Sequence, residues 1–108
     1  MKKNLPPATP QAVTMREQDL EKNLTKAVHA RGGLSWKFVS PGTVGVPDRI
    51  VILPDAHIAF IELKKPGTGR LTKIQAWRHH QLKKLSAPVF VINHPDQIEQ
   101  TLNQIEQS

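Results

Sequence analysis

Two short runs of β-branched residues around a tight turn constrain the fold more than any other feature of this 108-residue chain. Residues 49–53, which are apolar after Arg49, and the apolar residues 58–61 are typical of strands, and the segment 54–56 between them, Pro-Asp-Ala, is typical of a turn. The pattern therefore predicts a β-hairpin, in which a three-residue turn pairs residue 53 with residue 57.

Two carboxylates and an ammonium group meet at one end of this predicted hairpin. The register places Asp48 opposite Glu62, with Lys64 on the same face, whereas a shift by two residues would place Asp48 opposite Lys64. Facing Cβ atoms lie about 5 Å apart, and two carboxylates at that distance repel by about 3 kcal/mol at an effective dielectric near 20. A divalent cation offsets this repulsion better than one lysine, and carboxylate oxygens suit Mg²⁺ or Mn²⁺. We therefore expect metal-assisted chemistry with a cationic helper.

A simpler interpretation is a Pro-Asp turn followed by a solvated salt bridge between Glu62 and Lys64. The apolar neighbours of Glu62 argue against it, because Phe60 and Ile61 precede the acid and Leu63 follows it. An unpaired charge within such a run is costly to bury.

The composition narrows the class of protein. The chain is long enough for one domain with a modest core, and its lack of cysteine excludes disulfides and thiolate zinc sites. The sequence contains no apolar run of the ~20 residues that a membrane helix needs and no secretory signal. We expect a cytoplasmic protein of a bacterial or phage-infected cell. Residues 1–14 contain three prolines and predict a flexible arm before a domain at 15–108.

Positive charge is concentrated in one part of the chain. The formal net charge is +6, and residues 64–84 contain several lysines and arginines but no aspartate or glutamate. Such a block predicts a polyanionic partner, although a basic helix surface that only aids solubility is the alternative. The candidate nucleic-acid contacts are Lys37, Ser40, Lys65, Arg70, Lys73 and Arg78.

Periodicity predicts an α/β fold with a small mixed four-stranded sheet flanked by helices. The predicted helices are 15–31, 72–85 and a last one from 95, and the predicted strands are 34–39, 49–53, 58–64 and 88–93. The predicted buried stripes are Leu20, Leu24, Ala27 and Val28 on the first helix, Leu71, Ile74, Leu82 and Leu85 on the second, and Ile98, Leu102 and Ile105 on the third.

The first helix also carries two acids near its buried stripe. On a helical wheel Glu17 falls within the stripe and Glu21 lies at its edge. Glu17 either reaches the proposed metal site or is an exposed first-turn residue that complements the helix dipole. Periodicity alone does not distinguish between these two interpretations of Glu17.

The order of these residues resembles a known family. Glu17 on the first helix, Gly45-Val46-Pro47-Asp48, Glu62-Leu63-Lys64-Lys65 and Gln75 on the next helix resemble the virus-type replication-repair nuclease (VRR-NUC) domain, a branch of the PD-(D/E)xK nuclease superfamily. The similarity covers about residues 15–94. It implies a restriction-endonuclease-like αβββαβ core and a divalent-metal-dependent DNA endonuclease.

The resemblance also implies a role for each matching residue. Asp48 and Glu62 would hold Mg²⁺ or Mn²⁺, with the backbone carbonyl of Leu63 as a further ligand and Glu17 bound directly or through water. Lys64 would position or activate the attacking water, or stabilise charge on the phosphate. Gln75 would orient Lys64 or a metal-bound water. Glu21 is the other candidate for the first-helix acid, but the helical wheel favours Glu17, because Glu17 falls within the stripe and Glu21 lies at its edge.

Substrate and assembly follow from the same resemblance. Small members of the family look like homodimers that resemble Holliday-junction resolvases, and members fused to larger proteins act as structure-specific repair nucleases. We therefore expect a homodimer that cuts branched DNA in repair or recombination, with the final helix and Trp77 as candidate interface elements. The alternatives are a non-catalytic nucleic-acid-binding module and a restriction-type nuclease.

Overall fold

A computed structural model describes residues 16–107 and shows the predicted α/β order of elements. The predicted arm at 1–14 lies outside the described residues. No helix between residues 16 and 107 is both long and apolar enough to cross a lipid bilayer. The elements are α1 (Glu17–Ala30), β1 (Leu34–Lys37), β2 (Arg49–Leu53), a 3₁₀ turn (Pro54–Ala56), β3 (His57–Leu63), α2 (Lys73–Lys84), β4 (Val89–Ile92) and α3 (Gln97–Glu106).

The four strands form one mixed sheet in the order β1-β2-β3-β4. The first three strands are antiparallel, and β4 runs parallel to β3 after the crossover through α2. Leu53 pairs with His57, as the length of the turn predicted, and Arg49 pairs with Ile61. Continued by one pair, this register brings Asp48 beside Glu62.

The hydrophobic core lies between one face of the sheet and helices α1 and α3. The predicted stripes of the first and last helices are confirmed, since Ala27 is partly buried against the core and the other members are buried: Leu20, Leu24, Val28, Ile98, Leu102 and Ile105. They pack against the alternate strand residues Val51, Leu53, Ala59, Ile61 and Leu63. The side chain of Glu62 therefore points to the opposite face, which is the face that α2 partly covers.

The buried stripe predicted for the second helix is wrong. Leu71 and Leu82 are only half-buried, and Ile74 and Leu85 are 40% and 80% exposed. The residue that α2 buries is His79. The reason is the surface beneath the helix. Because α2 lies over the end of β3, where the sheet presents Glu62, the inward residues of the helix are the polar Gln75 and His79.

Gly33 generates a stability prediction. A Cβ atom at this position would lie 2.5 Å from the backbone carbonyl oxygen of Ile52 and 2.9 Å from a methyl group of Leu53. The substitution Gly33→Ala is therefore expected to lower the free energy of unfolding by about 1–3 kcal/mol, measured by urea denaturation. Gly42→Ala is the matched control, since a Cβ there meets no atom within 4 Å. Equal stability of the two variants would contradict this packing.

Candidate active site

Asp48 joins the start of β2 to the end of β3. Its carboxylate oxygens accept from the backbone N–H of Leu63, at 3.2 Å to Oδ1 and 3.4 Å to Oδ2. Its own carbonyl accepts from the N–H of Phe38 at 2.8 Å, which fixes the backbone on the β1 side. The carboxylate is thus held against the backbone at the end of β3, beside Glu62.

Glu62 is almost completely buried, at 3% exposure. Its Oε2 atom accepts from Gln75 Nε2 at 3.3 Å and lies 3.7 Å from the ammonium nitrogen of Lys64. Its Oε1 atom has no hydrogen-bond partner, and it faces Nε2 of His79 at 3.7 Å. The expectation that this acid does not lie on a solvated face is confirmed, although the groups around its carboxylate are polar and include the ion pair with Lys64.

Burial and like charge raise the pKa values of both carboxyl groups of the pair. Burial raises the pKa of Glu62 to about 7, reinforced by the charge of Asp48 and opposed by Lys64. Burial also raises the pKa of Asp48, reinforced by Glu17 and opposed by the hydrogen bond from Leu63. Near neutral pH the pair therefore retains a proton, and a cation that binds between the two carboxylates would displace it.

The two acids of α1 have different surroundings. Glu17 is exposed, so its predicted place in the buried stripe is wrong, because it lies in the first turn beyond the edge of the core. It lines an open cavity of about 550 Å³ together with Lys37, Asp48 and Leu63. Glu21 instead accepts a hydrogen bond from Arg49. Of the two acids, Glu17 is therefore the better placed in the cavity beside Asp48, whereas Glu21 is paired with Arg49. The role of Glu17 as a metal ligand stays a prediction.

Arg49 is a buried residue that the sequence reasoning missed. Besides its ion pair with Glu21, it donates to the hydroxyl of Ser35 at 3.2 Å and to the carbonyl of Ser35 at 3.1 Å. These contacts attach α1 to β1 and β2 directly beside Asp48, and they set the position of Glu17 one turn earlier. The only sequence signal was a charged residue at the start of an apolar strand.

Gln75 connects the start of α2 to Glu62. Thr72 is the N-cap of α2, and its hydroxyl accepts from the N–H of Gln75 at 3.2 Å. The side-chain oxygen of Gln75 accepts from the N–H of Thr72 at 3.0 Å, which completes a capping box. Its amide nitrogen is thereby directed at Glu62, whereas the family resemblance implied a contact with Lys64 or water.

His79 is the second residue that the sequence reasoning missed. It follows Gln75 by one helical turn and is only 4% exposed. Burial lowers the pKa of His79, and the positive charges of Lys83 and Lys64 lower it further. The imidazole is therefore neutral near pH 7 and carries a single N–H.

The predicted nucleic-acid contacts fall into two groups. Lys37 lines the cavity, and the exposed Lys65, Arg70 and Lys73 lie between β3 and the first turn of α2. Arg78 is engaged within the protein, since it donates to the carbonyl of Val44 at 2.7 Å and to Gln81 at 3.0 Å. Ser40 is half-buried, and its carbonyl accepts from Thr43 at 3.1 Å. Contact of all six residues with nucleic acid stays a prediction.

The donor set fits a hard divalent cation that keeps part of its hydration shell. Within residues 16–107 no group of three or more His, Cys, Asp or Glu side chains is placed to hold a metal ion by itself. Asp48 and Glu62 supply two carboxylates, which is the number that Mg²⁺ commonly takes from a protein while water fills its other positions. A buried acid beside a half-buried one, both with raised pKa values, is the kind of anionic pair that such an ion stabilises.

Comparison with known proteins gives two informative similarities. No model of a known protein family matches the chain. The chain is 44% identical over 82 residues to "Putative nuclease p44" of Acyrthosiphon pisum secondary endosymbiont phage 1. The matched residues make up 76% of this chain and 87% of that protein. A solved structure described as "VRR_NUC domain" is 32% identical, with a TM-score of 0.76 over 81% of this chain and 94% of that one.

The carboxyl pair predicts how stability depends on pH in the metal-free protein. A folded-state pKa that is raised from 4.5 to about 7 favours the protonated side chain, so the stabilisation is complete below pH 4.5 and is lost as pH rises through 7. The loss for Glu62 is about 3 kcal/mol. It is measured by urea unfolding in chelator across this range, as the difference between wild type and Glu62→Gln. Parallel pH profiles for the two proteins would contradict the assignment.

Proposed function

Because the chain belongs to the VRR-NUC domain family of nucleases, we propose that it is a divalent-metal-dependent DNA endonuclease selective for branched DNA. The observation that carries this proposal is the pairing of half-buried Asp48, which lines an open cavity, with buried Glu62 and its neighbour Lys64. Facing carboxylates repel phosphate, so they favour a role in catalysis over simple DNA binding.

Each residue of the site has a chemical role in this proposal. Asp48 and Glu62 would hold Mg²⁺ or Mn²⁺, with the backbone carbonyl of Leu63 as a further ligand and Glu17 bound directly or through water. When bound, the ion would supply positive charge for the scissile phosphate and would make water more acidic. Lys64, whose ammonium lies 3.7 Å from Glu62, positions the attacking water or stabilises charge on the phosphate.

Basic side chains on two sides of the site support the proposed DNA contact. Lys37 lines the cavity that Asp48 borders, and Lys65, Arg70 and Lys73 are exposed on the opposite, α2 side. Their charges neutralise backbone phosphates and would make binding weaken as salt rises. Arg78 contributes indirectly, because it holds the loop that leads into Asp48.

An uncovered apolar surface supports a homodimer. Leu34, Trp36 and Ile58 share the face of the sheet that α2 leaves uncovered, and each is more than 40% exposed. The final helix, which was a candidate interface, buries its apolar stripe in the core instead. A two-fold dimer through the uncovered face would present two sites to the two strands of a symmetric junction. The similarity to a phage protein is consistent with repair or recombination in the cytoplasm of a phage-infected cell.

Substitution of the three central residues tests the chemistry. Asp48→Asn, Glu62→Gln and Lys64→Met are expected to lower the rate of DNA cleavage by about 10²-fold or more, while each variant still binds a four-way junction. Lys22→Met is the matched control, because Lys22 is an exposed lysine on α1 outside the proposed machinery. Wild-type cleavage rates in all three variants would contradict the assignment.

The same assay separates the candidate substrates. Flap, fork, four-way junction and linear duplex are compared in Mg²⁺, in Mn²⁺ and in chelator. We expect metal-dependent cleavage of branched substrates. Sequence-specific cleavage of linear duplex would favour the restriction-type alternative, and salt-dependent binding without any cleavage would favour the non-catalytic module.

Two tryptophan variants test the dimer. Trp36 lies on the uncovered sheet face and Trp77 lies on the outer surface of α2, with similar exposures of 56% and 51%. We expect Trp36→Glu to convert a dimer to a monomer in light scattering, since a charge on an apolar interface loses its hydration, whereas Trp77→Glu remains dimeric. A monomeric wild type, or the opposite pattern, would contradict the proposed interface.

A further inference from the structure

We propose that His79 is a positioning residue of the active site, which donates its Nε2–H to Oε1 of Glu62 and fixes the orientation of that carboxylate for the divalent ion. This inference rests on the proposed function. It is carried by two buried polar atoms that face each other without a hydrogen bond, one on α2 and one on β3.

The two atoms lie close together, and each lacks a hydrogen-bond partner. Oε1 of Glu62 and Nε2 of His79 are 3.7 Å apart, and neither has a hydrogen-bond partner among the described residues. The two side chains are 3% and 4% exposed, so bulk water does not replace the missing bonds. Leaving a buried polar group unsatisfied costs about 1–3 kcal/mol. A movement of roughly 0.7 Å would bring the atoms into hydrogen-bond range.

The geometry of α2 explains why His79 acts on Glu62 and not on another group. Gln75 and His79 lie one turn apart on the inward face of the helix. Gln75 donates to Oε2 of Glu62 at 3.3 Å, and His79 faces Oε1. The helix therefore presents one donor to each carboxylate oxygen. A carboxylate held from both sides loses rotational freedom, and its remaining lone pairs stay available to an ion shared with Asp48.

Such supporting contacts have measurable consequences for metal binding. Removal of a group that hydrogen-bonds a metal ligand typically weakens metal affinity or activity by about 10–100-fold. A packing role would give a different result. If His79 only filled space, an apolar residue of similar size would relieve an unpaired polar atom and leave metal binding unchanged.

The experiment compares three variants in the full chain. His79→Leu removes the donor, His79→Gln retains an N–H donor, and His80→Leu is the control. His80 is exposed and stacks on Trp77, with ring centroids 5.6 Å apart. Mn²⁺ affinity is measured without DNA by calorimetry, and junction cleavage is measured in parallel. We expect about 10–100-fold weaker Mn²⁺ binding for His79→Leu, partial recovery in His79→Gln and no change in His80→Leu.

A second measurement keeps the inference testable if His79→Leu fails to fold. In ¹⁵N NMR of wild-type protein with Mg²⁺, we expect His79 to be the Nε2–H tautomer. The Nδ1–H tautomer, or wild-type Mn²⁺ affinity in a folded His79→Leu, would overturn the inference. Failure of the wild type itself to bind Mn²⁺ or cut DNA would instead overturn the proposed function.

Discussion

The forced proximity of Asp48 and Glu62 is the constraint on which the rest of the site depends. Burial and like charge disfavour two ionised carboxylates here, and they raise both pKa values. The arrangement persists because it is fixed from outside the pair. The hairpin register aligns the two residues, and the N–H of Leu63 holds Asp48. The hydrophobic core that secures the register lies on the other face of the sheet, so stabilisation of the fold and the chemistry of the site are spatially separated.

The loop before Asp48 and helix α2 are arranged around this pair rather than around the core. The loop before Asp48 is attached to α2 by Arg78, and Gly45 lets its backbone pass close to Ile74, where a Cβ would lie 2.9 Å from a side-chain carbon. Gly45 also adopts a φ of +87°, a conformation that favours glycine. The helix α2 in turn contributes Gln75 and His79 to Glu62. Its attachment to the sheet therefore includes polar contacts at the site as well as partly buried apolar residues such as Leu82.

The sequence predicted the fold and the central acids because both are encoded locally. Alternating strand residues and a three-residue turn fix the register of the hairpin, and that register alone brings Asp48 to Glu62. Periodicity failed for α2, because the rule assumes an apolar surface beneath a helix and here that surface is Glu62. Arg49 and His79 were missed for a related reason. Their partners, Glu21 and Glu62, are distant in sequence, and neither pairing leaves a local pattern.

The central claim is that the two carboxylates share a divalent cation. The most direct test is a crystal structure of the protein grown with Mn²⁺, with anomalous diffraction recorded at the manganese absorption edge. We predict an anomalous peak within bonding distance of both Asp48 and Glu62 at neutral or higher pH, where the proton held by the pair is readily displaced. A well-ordered site with no anomalous peak between the two carboxylates would contradict the account.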